Sequence, residues 1–317
     1  MSTPRWRTRF APAPTGWLHL GHVLNAITVW GMARAYGGSV LLRIEDHDRR
    51  RCKPDYEAGI REDLAWLGFT PDDEAPRQST RGDRYAELLS ALESRDLVYA
   101  CSCSRREIAG GAGERHLELV YPGTCRTRHL DSDTTAARRV RLVEAAQSFA
   151  DVRGGSMTQT PALQCGDLLV RDRDAQWTYQ FAVTVDDMDQ GIDLVIRGED
   201  LLTSTGRQLQ LAQLLGRPQP ARFLHHGLIR HDDGEKLSKS RGDTGVRELR
   251  NAGATAAEVI GAAAYAGGLI GRAVPVLAGD VGALFAGGAS FDHLPSGQNL
   301  SPVGKVPTAW PHPHGRL

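Results

Sequence analysis

Arg9-Phe10-Ala11-Pro12-Ala13-Pro14-Thr15-Gly16-Trp17-Leu18-His19-Leu20-Gly21-His22 is the segment from which the architecture of this chain can be read. Residues 8–13 read as a short strand stopped by Pro12 and Pro14, since proline cannot donate to a ladder. Residues 23–36 carry apolar side chains at helical spacing, and Gly37-Gly38 ends that helix. His19, Gly21 and His22 therefore fall on a turn between a strand and a helix start. Free N–H groups and the positive dipole end attract phosphate there. Two imidazoles can donate to phosphate oxygens as charge develops, and Gly21 lets a flat ring approach the backbone.

Outward from this turn the pattern repeats. Residues 39–45 form an apolar run rich in Val, Leu and Ile, as in a buried strand. Residues 54–67 start with Pro54 and read as a helix, and residues 84–95 as another. Strand, helix, strand, helix predicts an α/β fold, a Rossmann-like doubly wound parallel sheet with helices on its faces. Ligands of such sheets bind at the carboxyl ends of strands, near a reversal of strand order. Further on, 176–186 reads as an extended or mixed segment feeding an acidic turn, 191–197 as a strand and 201–215 as a helix. A strand at 223–229 runs into a loop at 230–243, and 246–266 reads as one helix.

That loop holds Lys236-Leu237-Ser238-Lys239-Ser240. Two mobile point charges this close can clamp a leaving pyrophosphate. The order is strand, histidine turn, then a lysine loop after a late strand. No Gly-x-x-x-x-Gly-Lys-Ser/Thr or Gly-x-Gly-x-x-Gly competes with it for nucleotide binding.

The whole chain has 317 residues, 41% hydrophobic and 24% charged, the composition of a soluble globular enzyme. Lys plus Arg and Asp plus Glu both number 38, so any contact with nucleic acid would rest on local patches; Arg43, Arg49, Arg50, Arg51 and Lys53 are one candidate. Residues 1–9 have no apolar core of a signal peptide. The Ala/Gly-rich run 252–270 contains Glu258 and reads as a soluble helix. The expected location is the cytoplasm, with no membrane contact and a monomeric state.

There are five cysteines, and Cys101, Cys103 and Cys125 lie close together in a Gly-, Arg- and Thr-rich stretch. Three thiols in a cytosolic insertion suggest one structural Zn2+. Ligand chemistry favours His116 or His129 as the fourth donor. The expected organisation is a nucleotide-binding core in two halves, 1–100 and 167–245, an insertion at 101–166, a helical segment at 246–275 and a flexible tail at 276–317.

Arg9-Phe10-Ala11-Pro12, Leu18-His19-Leu20-Gly21-His22, Leu42-Arg43-Ile44-Glu45-Asp46 and Val195-Ile196-Arg197-Gly198-Glu199-Asp200-Leu201 resemble the glutamyl-tRNA synthetase group of class I aminoacyl-tRNA synthetases. Within it, the shortness of the chain resembles the glutamyl-Q tRNA(Asp) synthetase family, which lacks an anticodon-binding domain. The resemblance covers residues 7 to 270. It implies a class I synthetase core that activates L-glutamate with ATP and Mg2+ and passes it to queuosine in the anticodon of tRNA(Asp). It implies His19, Gly21, His22 and Lys239 as ATP contacts, with His19, His22, Lys236 and Lys239 catalytic. It implies glutamate contacts from Arg9, Phe10, Ala11, Pro12, Ala13, Glu45, Tyr179 and Arg197. Two arginines would face carboxylates, Glu45 the α-ammonium and the Tyr179 hydroxyl the substrate. Ala13 stands where the family usually has Ser, which leaves only its backbone as a contact. The family pattern also makes Tyr121 the fourth zinc ligand, with Cys101, Cys103 and Cys125. The alternatives are a conventional glutamyl-tRNA synthetase charging the tRNA 3′ end, for whose anticodon domain the stretch after the lysine loop is too short, and a non-catalytic synthetase paralogue.

Overall fold

A computed structural model describes residues 6–111, 119–130, 136–230 and 245–286. The chain begins with β1 (Arg7–Phe10), α1 (Leu20–Tyr36), β2 (Ser39–Leu42), α2 (Pro54–Leu67), β3 (Asp73–Glu74) and α3 (Gly82–Glu93). The stretch expected as an insertion contributes β4 (Val98–Cys101), α4 (Arg105–Gly111), β5 (Ala137–Val140), β6 (Gln147–Asp151), β7 (Gly155–Gln159) and α5 (Pro161–Cys165). Then follow β8 (Leu168–Arg171), α6 (Tyr179–Asp189), β9 (Leu194–Gly198), α7 (Thr205–Leu214), β10 (Arg222–His226), α8 (Val246–Asn251) and α9 (Ala256–Ala266).

β1, β2 and β3 form a parallel sheet with Arg9 opposite Leu41. β9 and β10 run parallel, with Arg197 opposite His225. β1 lies beside β9: the Asp193 N–H donates to the Arg7 carbonyl (2.9 Å) and the Arg7 N–H to the Asp193 carboxylate (2.8 Å). Strand order therefore departs from the β1–β9 border in two directions, to β2 and β3 on one side and to β10 and β6 on the other. That border is the switch point at which such sheets bind ligands.

The sheet is not purely parallel. β6 pairs with β10, and β7 turns back antiparallel on β6, so the inserted hairpin extends the sheet of β9 and β10. β4, β5 and β8 make a separate antiparallel sheet.

α1 is buried along Val23–Ala33, against β1, β2 and α9. It is apolar on most sides because it sits between layers rather than on a surface. The 3-10 helix Ala278–Leu284, at the start of the expected tail, packs on it through buried Val281. Residues 287–317 lie outside the described residues.

Three expectations need correction. Residues 176–186 were expected as an extended or mixed segment feeding an acidic turn, whereas Tyr179–Asp189 is a helix. Val183, Thr184 and Val185 are weak helix formers, but Phe181, Ala182 and Val185 bury against Tyr85 and Leu211, and packing overrides propensity. The expected single helix at 246–266 is two, because Gly253 turns at φ 91° and Thr255 with Glu258 caps a new start. Arg43 cannot join a surface patch: its side chain is 0% exposed, between Asp187 and Glu45.

Candidate active site

Short loops and strand ends bring the site together at the β1–β9 border. α1 begins at His19, and the two histidines cap it reciprocally. His19 Nδ1 accepts from the Gly21 N–H at 3.1 Å, and His22 Nδ1 accepts from the His19 N–H at 3.1 Å. A neutral imidazole has one protonated nitrogen, so each ring carries its hydrogen on Nε2. The cap thus sets both rings as Nε2–H donors at a helix start. Their centroids are 3.9 Å apart. A Cβ at Gly21 would lie 2.9 Å from the His19 ring, which is why this turn takes glycine.

After β10 the described chain runs to Arg230 and resumes at Gly245, beside this turn. Lys236 and Lys239 lie outside the described residues. Gly245 bridges to His19 and the Val246 N–H donates to the Leu18 carbonyl at 2.9 Å.

Arg9 and Arg197 sit on adjacent strands, both 4% exposed, but their partners differ in charge. Arg9 Nε donates to Asp187 at 3.0 Å and Nη1 to the Ile196 carbonyl at 3.0 Å. Arg43 reaches the same Asp187 oxygen at 2.7 Å and Glu45 at 3.2 Å. Burial pushes the Asp187 carboxyl up, but Arg9 and Arg43 outweigh it and hold it down at about 2. Glu45 goes the other way: burial raises it against the pull of Arg43 and Arg9.

Arg197 is held by neutral groups. Nη1 donates to Gln208 (2.7 Å), Nη2 to Thr205 (2.8 Å) and Nε to His225 Nε2 (3.1 Å). The Tyr179 hydroxyl, at the start of α6, lies near it and acts on it electrostatically. Arg197 makes no ion pair among the described residues, and burial lowers its pKa from the ordinary value. Burial and nearby Glu45 raise Tyr179, keeping the phenol protonated.

Of the other expected contacts, Phe10 turns its ring into the core, 5.3 Å from Trp30, and its carbonyl accepts from the Arg43 N–H. The Pro12 carbonyl accepts from the Glu45 N–H at 3.1 Å, so the β1 extension is tied to the strand end carrying Glu45. Ala11 and Ala13 are half-buried on that extension. Sequence reading missed Asp187, His225, Asp151, Thr205 and Gln208. One signal was available: Asp186, Asp187 and Asp189 within an otherwise apolar segment call for buried cations, and Arg9, Arg43 and Arg81 supply them.

Away from this cleft, the Sγ atoms of Cys101, Cys103 and Cys125 lie within 4.8 Å of one another. The Tyr121 hydroxyl is 3.5 Å from Cys101 Sγ and 3.9 Å from Cys103 Sγ. Tetrahedral ligands on zinc are about 3.5–3.8 Å apart, so the four donors suit that ion. His129 does not belong to the thiol group, and His116 lies outside the described residues. Gly166, at φ 66°, lets the Tyr121 backbone approach where a Cβ would collide with its carbonyl. Arg139 stacks 3.7 Å above the Tyr121 ring and points Nε at Cys101 Sγ (3.4 Å), a cation placed beside the thiol cluster. Burial pushes the Cys125 thiol up, but hydrogen bonds from Ser102 and Cys103 more than offset this and bring it to about 6.

The family profile described as "tRNA synthetases class I (E and Q), catalytic domain" matches residues 5–261. A protein of Burkholderia cenocepacia named glutamyl-Q tRNA(Asp) synthetase is 45% identical over 247 residues, covering 76% of this chain and 82% of the relative. One of the same name from Pseudomonas syringae is 43% identical over 240 residues, 76% and 79% of the two chains. Among solved structures, a glutamate tRNA ligase from Elizabethkingia meningosepticum in complex with its amino acid superposes with a TM-score of 0.72 at 27% identity. That match covers 87% of this chain but 64% of the solved enzyme. No helix among the described residues is long and apolar enough to cross a membrane. With a histidine-capped turn at the switch point and this profile over most of its length, the chain belongs to the class I tRNA synthetases (E and Q) and carries their catalytic domain.

Proposed function

We propose that this ligase activates L-glutamate with ATP and transfers it to queuosine in the anticodon of tRNA(Asp), as the names of its relatives suggest for them. The observation that carries the amino-acid assignment is the buried Arg197 guanidinium, which makes no ion pair among the described residues. A substrate carboxylate supplies the missing charge, bidentate on a planar fork. The neutral amide of glutamine leaves that charge buried and unpaired, which discriminates strongly. Arg9 is already paired with Asp187, so its remaining face adds a second, weaker carboxylate contact. Glu45 takes the α-ammonium, and the Tyr179 hydroxyl donates to the substrate.

In the first step a glutamate carboxylate oxygen attacks the α-phosphorus of ATP-Mg2+ in line, and pyrophosphate leaves. His19 and His22 donate Nε2–H to phosphate oxygens, with Gly21 giving the purine room, and Lys236 and Lys239 neutralise the leaving group. In the second step a hydroxyl of the queuosine ring attacks the mixed anhydride, forming an ester and releasing AMP. Positioning and charge neutralisation do the catalysis, with no covalent enzyme intermediate.

The same reading gives Cys101, Cys103, Tyr121 and Cys125 one structural zinc that pins the insertion at 101–166 between the two core halves, 1–100 and 167–245. The helical segment 246–275 completes the core, 276–317 serves as a tail, and the protein acts as a cytoplasmic monomer. The test is charging of tRNA(Asp) with labelled glutamate, with and without queuosine. Label on the queuosine-containing tRNA only, released with the modified base, is expected. Label at the 3′ end, or equally on both tRNAs, overturns the acceptor.

A further inference from the structure

We infer that Asp151 is a positioning residue for glutamate recognition, acting through His225 to fix the direction in which the Arg197 guanidinium faces the cleft. Asp151 ends β6, in the inserted hairpin, two strands away from Arg197 across β10. Its Oδ1 accepts from the backbone N–H groups of Arg153 (3.0 Å) and Gly154 (2.7 Å). Its Oδ2 accepts from the His225 backbone N–H (3.1 Å) and lies 2.7 Å from His225 Nδ1. Four contacts to a carboxylate that is 4% exposed leave it no other orientation.

The consequence runs through the imidazole. An ionised carboxylate only accepts, so the 2.7 Å contact places a hydrogen on His225 Nδ1. Neutral His225 then presents a lone pair on Nε2, the atom that accepts from Arg197 Nε at 3.1 Å. The other tautomer would set an N–H against an N–H. With Gln208 and Thr205 on the two terminal nitrogens, His225 completes a three-point hold that fixes both the plane and the roll of the guanidinium.

The contrast with Arg9 explains why the negative charge is placed at one remove. Asp187 holds Arg9 Nε directly, so that guanidinium is already neutralised. At Arg197 the carboxylate stands one ring behind. It orients the group and stabilises the cation without supplying the ion pair that the substrate must provide. Loss of a charged hydrogen-bond chain of this kind is worth roughly a factor of ten or more in affinity.

This inference rests on the reading that Arg197 receives a substrate carboxylate, and the test separates the two. Pyrophosphate exchange is measured on the full chain as wild type, D151N, D151E, H225F and R197Q. D151N and H225F are expected to raise the glutamate KM about tenfold while leaving the ATP KM and kcat within about twofold, with D151E partly restoring the KM. R197Q is expected to raise the glutamate KM further. A folded D151N or H225F with an unchanged glutamate KM, beside an impaired R197Q, overturns the role of Asp151. So does a fall in kcat and a rise in both KM values together, which marks general structural loss. An R197Q enzyme with an unchanged glutamate KM instead overturns the reading of Arg197. Should D151N and H225F fail to fold, nitrogen-15 spectra of wild-type His225 decide: hydrogen on Nδ1 supports the inference, and hydrogen on Nε2 ends it.

Discussion

Gly245 pairs with His19 across an antiparallel bridge, which ties the segment that starts α8 to the first capping residue of α1. The adjacent Val246–Leu18 hydrogen bond of 2.9 Å makes this a two-point attachment. The histidine turn is therefore both the start of α1 and the attachment of the segment that starts α8, and substitutions there should register in two ways.

His22→Ala tests this double role. It removes an Nε2–H donor and one half of the cap. We expect pyrophosphate exchange to fall about 10²- to 10³-fold in kcat, as for loss of one transition-state donor. Stability should fall by about 1 kcal/mol, as for a lost cap. Thermal melting alongside exchange kinetics reads both; a large kinetic loss with an unchanged KM for glutamate is the expected split.

Asp187→Asn should be among the most damaging core substitutions. It leaves Arg9 and Arg43 buried without their shared carboxylate, which costs about 3–5 kcal/mol. In the wild type this carboxyl sits at about 2, below its ordinary 3.8. Its contribution is then fully present above about pH 4 and is lost as pH falls towards 2. Acid melting curves of the variant should lack that component.

Asp63 behaves in the opposite sense. It is 1% exposed on α2, its Oδ2 has no hydrogen-bond partner among the described residues, and burial raises it to about 6 despite Arg247. A carboxyl raised in the folded state favours folding below its unfolded value near 4, and that support disappears as pH rises through 6. Asp63→Asn is therefore expected to raise the melting temperature at pH 8, by on the order of 1 kcal/mol of stability, and to have no effect at pH 4. A variant that melts lower at pH 8 contradicts this.

For the thiol cluster, metal analysis of purified protein should give close to one zinc per chain. Cys103→Ser should lower both the zinc content and the melting temperature, and a chelator should reproduce the drop in the wild type. Tyr121→Phe should retain zinc more weakly, since it removes one oxygen donor of four. Zinc content unaffected by Cys103→Ser would remove the cluster from consideration.

Much of the first half of the fold was legible because local signals agreed there. Pro54 at a helix start, Gly37 after α1 and the apolar run at β2 each specify their element without help from distant residues. α6 was not legible, because Phe181 and Val185 make it a helix only by packing on Tyr85 and Leu211. The sequence pattern picked out residues that the fold gathers beside the β1–β9 border, such as Arg9, Glu45 and Arg197. It did not pick out Asp151 or His225, which lie 74 positions apart and meet only through strand pairing. Arg43 shows the reverse failure: a charge among other charges in the chain reads as surface, and only the fold reveals that its carboxylate partner comes from α6.

The hairpin of β6 and β7 decides which backbone edge this sheet presents. Without it, β10 would end the sheet as a bare edge with an unsatisfied row of backbone donors and acceptors, open to strands of other molecules. The hairpin shields that row and moves the edge out to β7, whose five residues alternate between half-buried and exposed. Trimming the insertion to make a smaller enzyme would thus bare the β10 edge, whatever became of the cysteine cluster.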